Sequence, residues 1–330
     1  MGFKTYLVKR TIYSLALLWA IMSVNFIIFS LIPGDPIGRW VKNQEAAISK
    51  EEIMELRRIY GLDMPLHERY FLYLQNMLTW NFGRSRYTQA DIKTDIMNRL
   101  GNTLLLLGIA DGFTIFAGTL LGVLVAYKRG SKLDTALVTA SLGTYSLPVF
   151  WLGWLILFFF AIYLKWFPVG GIYPAEWMKQ WPTSIVEIIA GRLKHIVLPV
   201  LTLFIFNVGG WLLLTRSCVL EAITEDYVVT ARAKGLSTRK VLLNHVLRVA
   251  SLPIVTSLAL TLAGLWSGAI VTETVFSYEG MGRWIWRAIG LQDIPIMYVV
   301  FYISALTIII ANFMADLIYG VLDPRIRVGG

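Results

Sequence analysis

Six apolar runs decide what this chain can fold into. They cover residues 11–32, 102–127, 135–164, 196–215, 249–272 and 294–315, and only the second contains a charged side chain, Asp111. Each meets the roughly 20 residues a helix needs to cross a bilayer. Backbone N–H and C=O groups cannot stay unpaired in lipid, so the runs predict helices. The expected class is all-α, a polytopic membrane protein with six transmembrane helices. The first run is too long for a signal-peptide core and no small-residue cleavage site follows it, so it reads as a retained anchor.

Composition agrees, with 56% hydrophobic and 15% charged residues and a mean hydropathy of +0.62. The net charge of +9 is what cationic loops on a cytoplasmic face produce, and nucleic acid is not an expected partner. The single cysteine, Cys218, excludes an internal disulfide, and three histidines offer no metal site. No G-x-x-x-x-G-K-[ST], H-E-x-x-H or G-x-S-x-G occurs. The chain is therefore expected to have no catalytic, cofactor-binding or metal-binding residues of its own.

Lys and Arg set the orientation. Segments 1–10, 128–134, 216–248 and 323–330 carry about one such residue in four, and segments 33–101, 165–195 and 273–293 about one in eight. This places both termini in the cytoplasm of a cell whose plasma (inner) membrane the chain crosses. Asp111 costs roughly 2.5–3.5 kcal/mol on insertion scales if central, so it should face protein or water. It either lines a solute path or bonds a neighbouring helix. Asp316 lies near a helix end, where a structural role suffices. Gly209 and Gly210 are expected to serve close helix packing.

Residues 37–101 are too polar to span yet patterned like short amphipathic helices. Ser49 and Glu52 form a capping box ahead of Ile53, Leu56 and Tyr60. Leu66, Tyr70, Leu74 and Met77 make a second stripe after Pro65, and Ile92, Ile96 and Leu100 a third. The division expected is 1–36, terminus and first span; 37–101, an external helical subdomain; and 102–330, a five-helix core.

The stretch 221–253, EAITEDYVVTARAKGLSTRKVLLNHVLRVASLP, interrupts that core with a different grammar. Thr224 is a candidate N-cap, with Glu225 and Asp226 in the first turn. Gly235 suits the left-handed position that stops a helix, and Ser237 restarts one that meets the next apolar run at Pro253. A short, rigid, polar elbow results.

The words DYVVTARAKGLS and NHVLR resemble the cytoplasmic "EAA loop" of ABC importer permeases. Pro-Gly-Asp-Pro at 33–36, GLDMPLHERY, RLGNT, Glu-Thr-Val-Phe at 273–276 and the final DPRIR extend the resemblance over essentially the whole chain. It points to the dipeptide/oligopeptide/nickel permease family and its first, B-type subunit. The departures are Val229-Thr230-Ala231 where Glu-Ala-Ala is usual, and Glu279 where proline is usual. The resemblance implies a type I ABC importer permease. Its partners would be a second permease subunit, two ATPase subunits that bind ATP and Mg, an external solute-binding protein and the lipid membrane.

Under that resemblance Glu225, Asp226, Tyr227, Thr230, Ala231, Arg232, Ala233, Lys234 and Gly235 would couple to an ATPase, with Tyr227 as apolar anchor. Asp111 and Glu273 are candidates for the translocation path. Arg84, Arg86 and Glu279 are candidate contacts for the binding protein. The solutes implied are di- or oligopeptides, with oligosaccharides as the alternative. The scarcity of His and the lack of a Cys or Met cluster disfavour nickel. An ion-coupled secondary transporter is the rival class, but it would need internal repeats and paired intramembrane charges.

Overall fold

The computed structural model describes residues 3–31, 54, 64–85, 87–265 and 269–322. The capping box at 49–52, Arg86 and the closing DPRIR lie outside the described residues, as do the side chains of Asp316 and Tyr319. Among the described residues the fold is all-α, and strand-like pairing is limited to one antiparallel bridge between Arg84 and Asp91. Two compact units are formed, Met1–Asp95 with Ala288–Gly330, and Ile96–Arg287.

In the first unit, α1 (Phe3–Ser30) packs along α12 (Ile294–Leu322), and α2 (Leu66–Leu78) lies against α1. Tyr73 and Met77 of the second amphipathic stripe are buried. Tyr73 packs tilted against the rings of Phe26 and Tyr298, and Asn25 donates to the Tyr73 hydroxyl (2.9 Å) and the Tyr298 carbonyl (3.0 Å). Ser85, fully buried, donates to Asp293 at 2.6 Å and fixes the start of α12. Outward-facing Ile12, Leu15, Trp19, Ile27 and Ile28 give α1 the apolar surface that lipid requires.

The second unit is built on two long helices, α3 (Ile92–Tyr127) and α6 (Ile185–Ile223). The third stripe, Ile92, Ile96 and Leu100, is buried as expected, but it is the first three turns of α3 rather than a separate helix. Asp91 caps that helix, accepting from the Thr94 N–H (2.9 Å) and hydroxyl (2.8 Å), bonds that hold its carboxyl below the usual range. α3 and α6 touch where Gly118 and Gly122 clear space. A Cβ on Gly118 would come within 2.8 Å of Trp211, and one on Gly122 within 2.6 Å of Thr215. This is the small-xxx-small device that lets backbones approach in a membrane.

The third apolar run breaks at Leu147-Pro148 into α4 (Lys132–Ser146) and α5 (Val149–Leu157), the latter continued by a π-helical turn, Phe158–Tyr163. The two pieces are bent by 97°, far more than a proline kink. Gly209 presses against the main chain of Ser141, as its expected packing role requires. Pro199, near the start of the fourth apolar run, lies inside α6, which begins well before that run; neighbouring helices can satisfy the carbonyl it frees. The fifth run holds α9 (Leu247–Gly264) and α10 (Ile270–Val275), and residues 266–268 between them lie outside the described residues. α11 (Met281–Leu291) then leads to α12.

Among the described residues, α1, α3 and α6 can each cross a bilayer by length and composition, and the bent α4–α5 pair makes a fourth crossing if its two pieces form one span. α12 adds a shorter apolar stretch, Ile294–Ile310.

Candidate functional site

The elbow begins where α6 ends. α6 runs to Ile223, so Thr224 closes that helix instead of opening the next, its hydroxyl donating to the Glu221 carbonyl at 2.7 Å. Glu225 takes the N-cap place of α7 (Asp226–Ala233) without a side-chain cap bond. Gly235 has φ +76, and its N–H donates to the Arg232 carbonyl at 2.9 Å. The Leu236 N–H reaches back to the Ala231 carbonyl at 3.4 Å. Those two bonds are the Schellman pattern that ends a helix. Ser237 then stands at the N-cap of α8 (Thr238–Val241), and a π-helical turn, Leu242–Val246, carries the chain into α9. Pro253 lies inside α9 and does not mark its start.

One face of the elbow is internal. Val228, Ala231, Val241, Leu242, Val246 and Ala250 share a core with Cys218, Val219 and Ala222 of α6 and Ala126 of α3. The elbow is thus welded to the ends of both long helices. Tyr227 belongs to this inner side. Its hydroxyl donates to the Ala222 carbonyl at 3.0 Å, and burial beside Glu225 pushes its phenol up. Glu225, Asp226, Thr230, Arg232, Ala233, Lys234 and Gly235 are exposed, and so is Val229, at 66%. Val229, quoted above as a departure from Glu-Ala-Ala, was not among the expected coupling residues. Val228 and Val229 cannot both face one way on a helix, and the signal was that pair standing beside the inward Ala231.

A second polar contact fixes this end of the unit. Asp134 accepts from Arg216 Nε (2.8 Å) and Nη2 (3.0 Å), and from the Gly130 N–H (2.9 Å). The pair ties the start of α4 to α6 two turns before the elbow. Ser131-x-x-Asp134 is a capping-box pattern, and it was the one available clue.

The candidate path residues differ in setting. Asp111 is half-buried in α3 and makes no hydrogen bond or ion pair among the described residues. One turn on, Thr114 buries a hydroxyl that also lacks a partner there. Glu273 is fully buried instead. It accepts from the Thr103 hydroxyl (2.9 Å) and from the main-chain N–H groups of Arg283 (3.0 Å) and Ala269 (3.3 Å). Its carboxylate pins the turn after α10 to α3.

Glu279 does not stand alone. Arg99 and Arg283 each meet it at 2.6 Å and Arg287 at 3.4 Å. Arg84, in the first unit, is exposed and pairs its main chain with Asp91. No group of three His, Cys, Asp or Glu side chains that could hold a metal occurs among the described residues.

Residues 118–328 match the family described as binding-protein-dependent transport system inner membrane component, and residues 3–106 match the N-terminal part of the same description. The chain is similar to the di/tripeptide transport system permease protein DppB of Pseudomonas aeruginosa, with 33% identity covering 98% of both proteins. It is 32% identical to the oligopeptide transport system permease protein AppB of Bacillus subtilis, over 98% of this chain and 99% of that one. The dipeptide permease DppB of Escherichia coli is 33% identical over 92% of this chain and 93% of its own length.

Proposed function

This chain belongs to the binding-protein-dependent transport system inner membrane components, and on that premise we propose that it is the permease through which di- or oligopeptides enter a cell. It is an integral inner-membrane permease subunit of an ABC importer. In our reading a second permease subunit completes the path, and two separate ATPase subunits bind ATP and Mg and hydrolyse the nucleotide. An external binding protein delivers the solute. Both termini and the elbow lie in the cytoplasm, and six crossings result. Segments 37–101 and 273–293 lie on the outer side of the membrane, and Asp111 faces the path. The peptide specificity rests on the similarity to peptide permeases over nearly the whole chain.

The observation that carries the mechanism is the capped elbow sharing a core with α3 and α6. A rigid projection of this kind transmits a rigid-body closure of the ATPases to the helices that would line the path. The test is uptake of labelled dipeptide by vesicles containing the assembled transporter. ATP-dependent uptake that requires the binding protein is expected. Uptake driven by an ion gradient without any ATPase would overturn the proposal, and ATP-dependent uptake of oligosaccharide but not peptide would replace the solute.

A further inference from the structure

Glu279 is surrounded by more positive charge than it can neutralise. Arg99 comes from α3, and Arg283 and Arg287 from successive turns of α11. Three guanidinium groups against one carboxylate leave a formal surplus of two positive charges. Among the described residues, neighbouring carboxylates do not remove it. Asp95, one turn before Arg99 on α3, makes no ion pair among the described residues. Glu273 is taken up by Thr103 and by main-chain N–H groups.

The cluster is also fixed. Arg283 donates to the Ser277 carbonyl at 2.6 Å, the Asn102 amide donates to the Glu279 carbonyl at 2.8 Å, and Arg99 lies over the Trp284 ring at 5.9 Å. The Arg99 Nε is buried without a partner among the described residues. Side chains of Arg99 and Arg283 are mostly covered, whereas that of Arg287 is 51% exposed. Beside it Trp286 is 58% exposed. Clustered arginine attracts carboxylates in forked geometry, and Trp and Arg are among the residues that most often anchor protein contacts.

We propose that Arg287, held by Glu279 and backed by Arg99 and Arg283, forms with Trp286 a docking point for an acidic patch on the solute-binding protein. This deepens the function proposed above and rests on its placement of segment 273–293 outside. Glu279 is then not a contact itself. It is an internal counter-ion that orients the arginines while leaving charge to spare. The complementary partner must present at least two carboxylates around a shallow apolar spot that receives Trp286. Such charges act chiefly on the association rate and weaken as salt screens them.

The experiment measures association of the solute-binding protein encoded beside this chain with the assembled transporter in lipid nanodiscs, at low and at physiological salt. The association rate should fall with salt. Arg287→Glu should slow it roughly tenfold or more at low salt, and a Glu→Lys or Asp→Lys reversal on the binding protein should restore it. Lys179→Glu, an equal charge change at an exposed site, should alter it far less. Normal ATP hydrolysis by the Arg287→Glu complex without binding protein shows that the variant is assembled. If that variant fails to assemble, Arg287→Gln and Trp286→Ala take its place with the same readout.

An unchanged association rate and salt slope in an assembled variant would overturn the proposal. So would a variant that loses only its affinity for vesicles of anionic lipid, because the cluster would then serve headgroups. If the wild-type transporter bound no binding protein at any salt, the function proposed above would fail rather than this site alone.

Discussion

Asp134 and Arg216 form a two-pronged ion pair that joins the start of α4 to α6. Asp134 is also the acceptor for the Gly130 N–H, so one carboxylate holds a turn and a helix pair together. Removing either partner strands the other's charge in a partly covered site. Asp134→Ala should lower the melting temperature of the chain in detergent more than Arg216→Ala, because it also frees the Gly130 turn. The double variant should be no worse than Asp134→Ala, as expected for residues in contact. Additive losses would show that the pair contributes nothing as a pair.

Gly235 has open space around the position a Cβ would take, so its constraint is φ +76 alone. The left-handed region costs roughly 1–2 kcal/mol for ordinary residues, least for Asn and most for β-branched ones. The expected order of solute-stimulated ATP hydrolysis by the assembled transporter is Gly235 ≥ Gly235→Asn > Gly235→Ala > Gly235→Val. Binding-protein association should be unchanged in all four. Full activity of Gly235→Val would remove the elbow from the coupling mechanism.

In the coupling proposed above, exposed Val229 would offer an ATPase a better apolar contact than Tyr227, which is occupied within the elbow. Val229→Asp should abolish capture of the ATPase subunits from detergent extracts while leaving the melting temperature of the chain near wild type. Tyr227→Phe, which loses one hydrogen bond worth roughly 0.5–1.5 kcal/mol, should still capture them. Capture by Val229→Asp and loss by Tyr227→Phe would restore the tyrosine as anchor.

Asp111 carries a carboxylate inside a helix of the membrane with no bonding partner among the described residues. Asp111→Leu should therefore insert more favourably, by roughly 3 kcal/mol on insertion scales if the site is central. Peptide uptake at equal expression should nevertheless fall severalfold. Uptake equal to wild type would leave Asp111 outside the path.

Much of this was legible because some residues have one physical use. Gly235 stops a helix wherever it follows one, and Gly209 predicted a close approach. The stripe Ile92, Ile96 and Leu100 announced a buried face. What stayed hidden depends on partners far along the chain. Pro148 predicts a kink, but nothing local encodes a 97° bend. Pro199 reads as a helix start until α6 is seen to begin at Ile185. Tyr227 points inward because the Ala222 carbonyl is there to receive it. The arginines around Glu279 lie four, eight and one hundred and eighty residues from it, so only the turns of α11 could have been paired by spacing.

α6 is gripped near its middle, where Gly209 meets Ser141 and Trp211 meets Gly118. From Gly209 it extends about 21 Å to the elbow end and about 36 Å to the other, at 1.5 Å per residue. If those mid-helix contacts are the fulcrum on which α6 turns with the elbow, the helix behaves as a see-saw. A push at the elbow swings the far end in the opposite direction and, if Pro199 does not flex, through roughly 1.7 times the distance. Closing one end and opening the other would then be a single rotation, needing no second signal to tell the outer face what the ATPases have done.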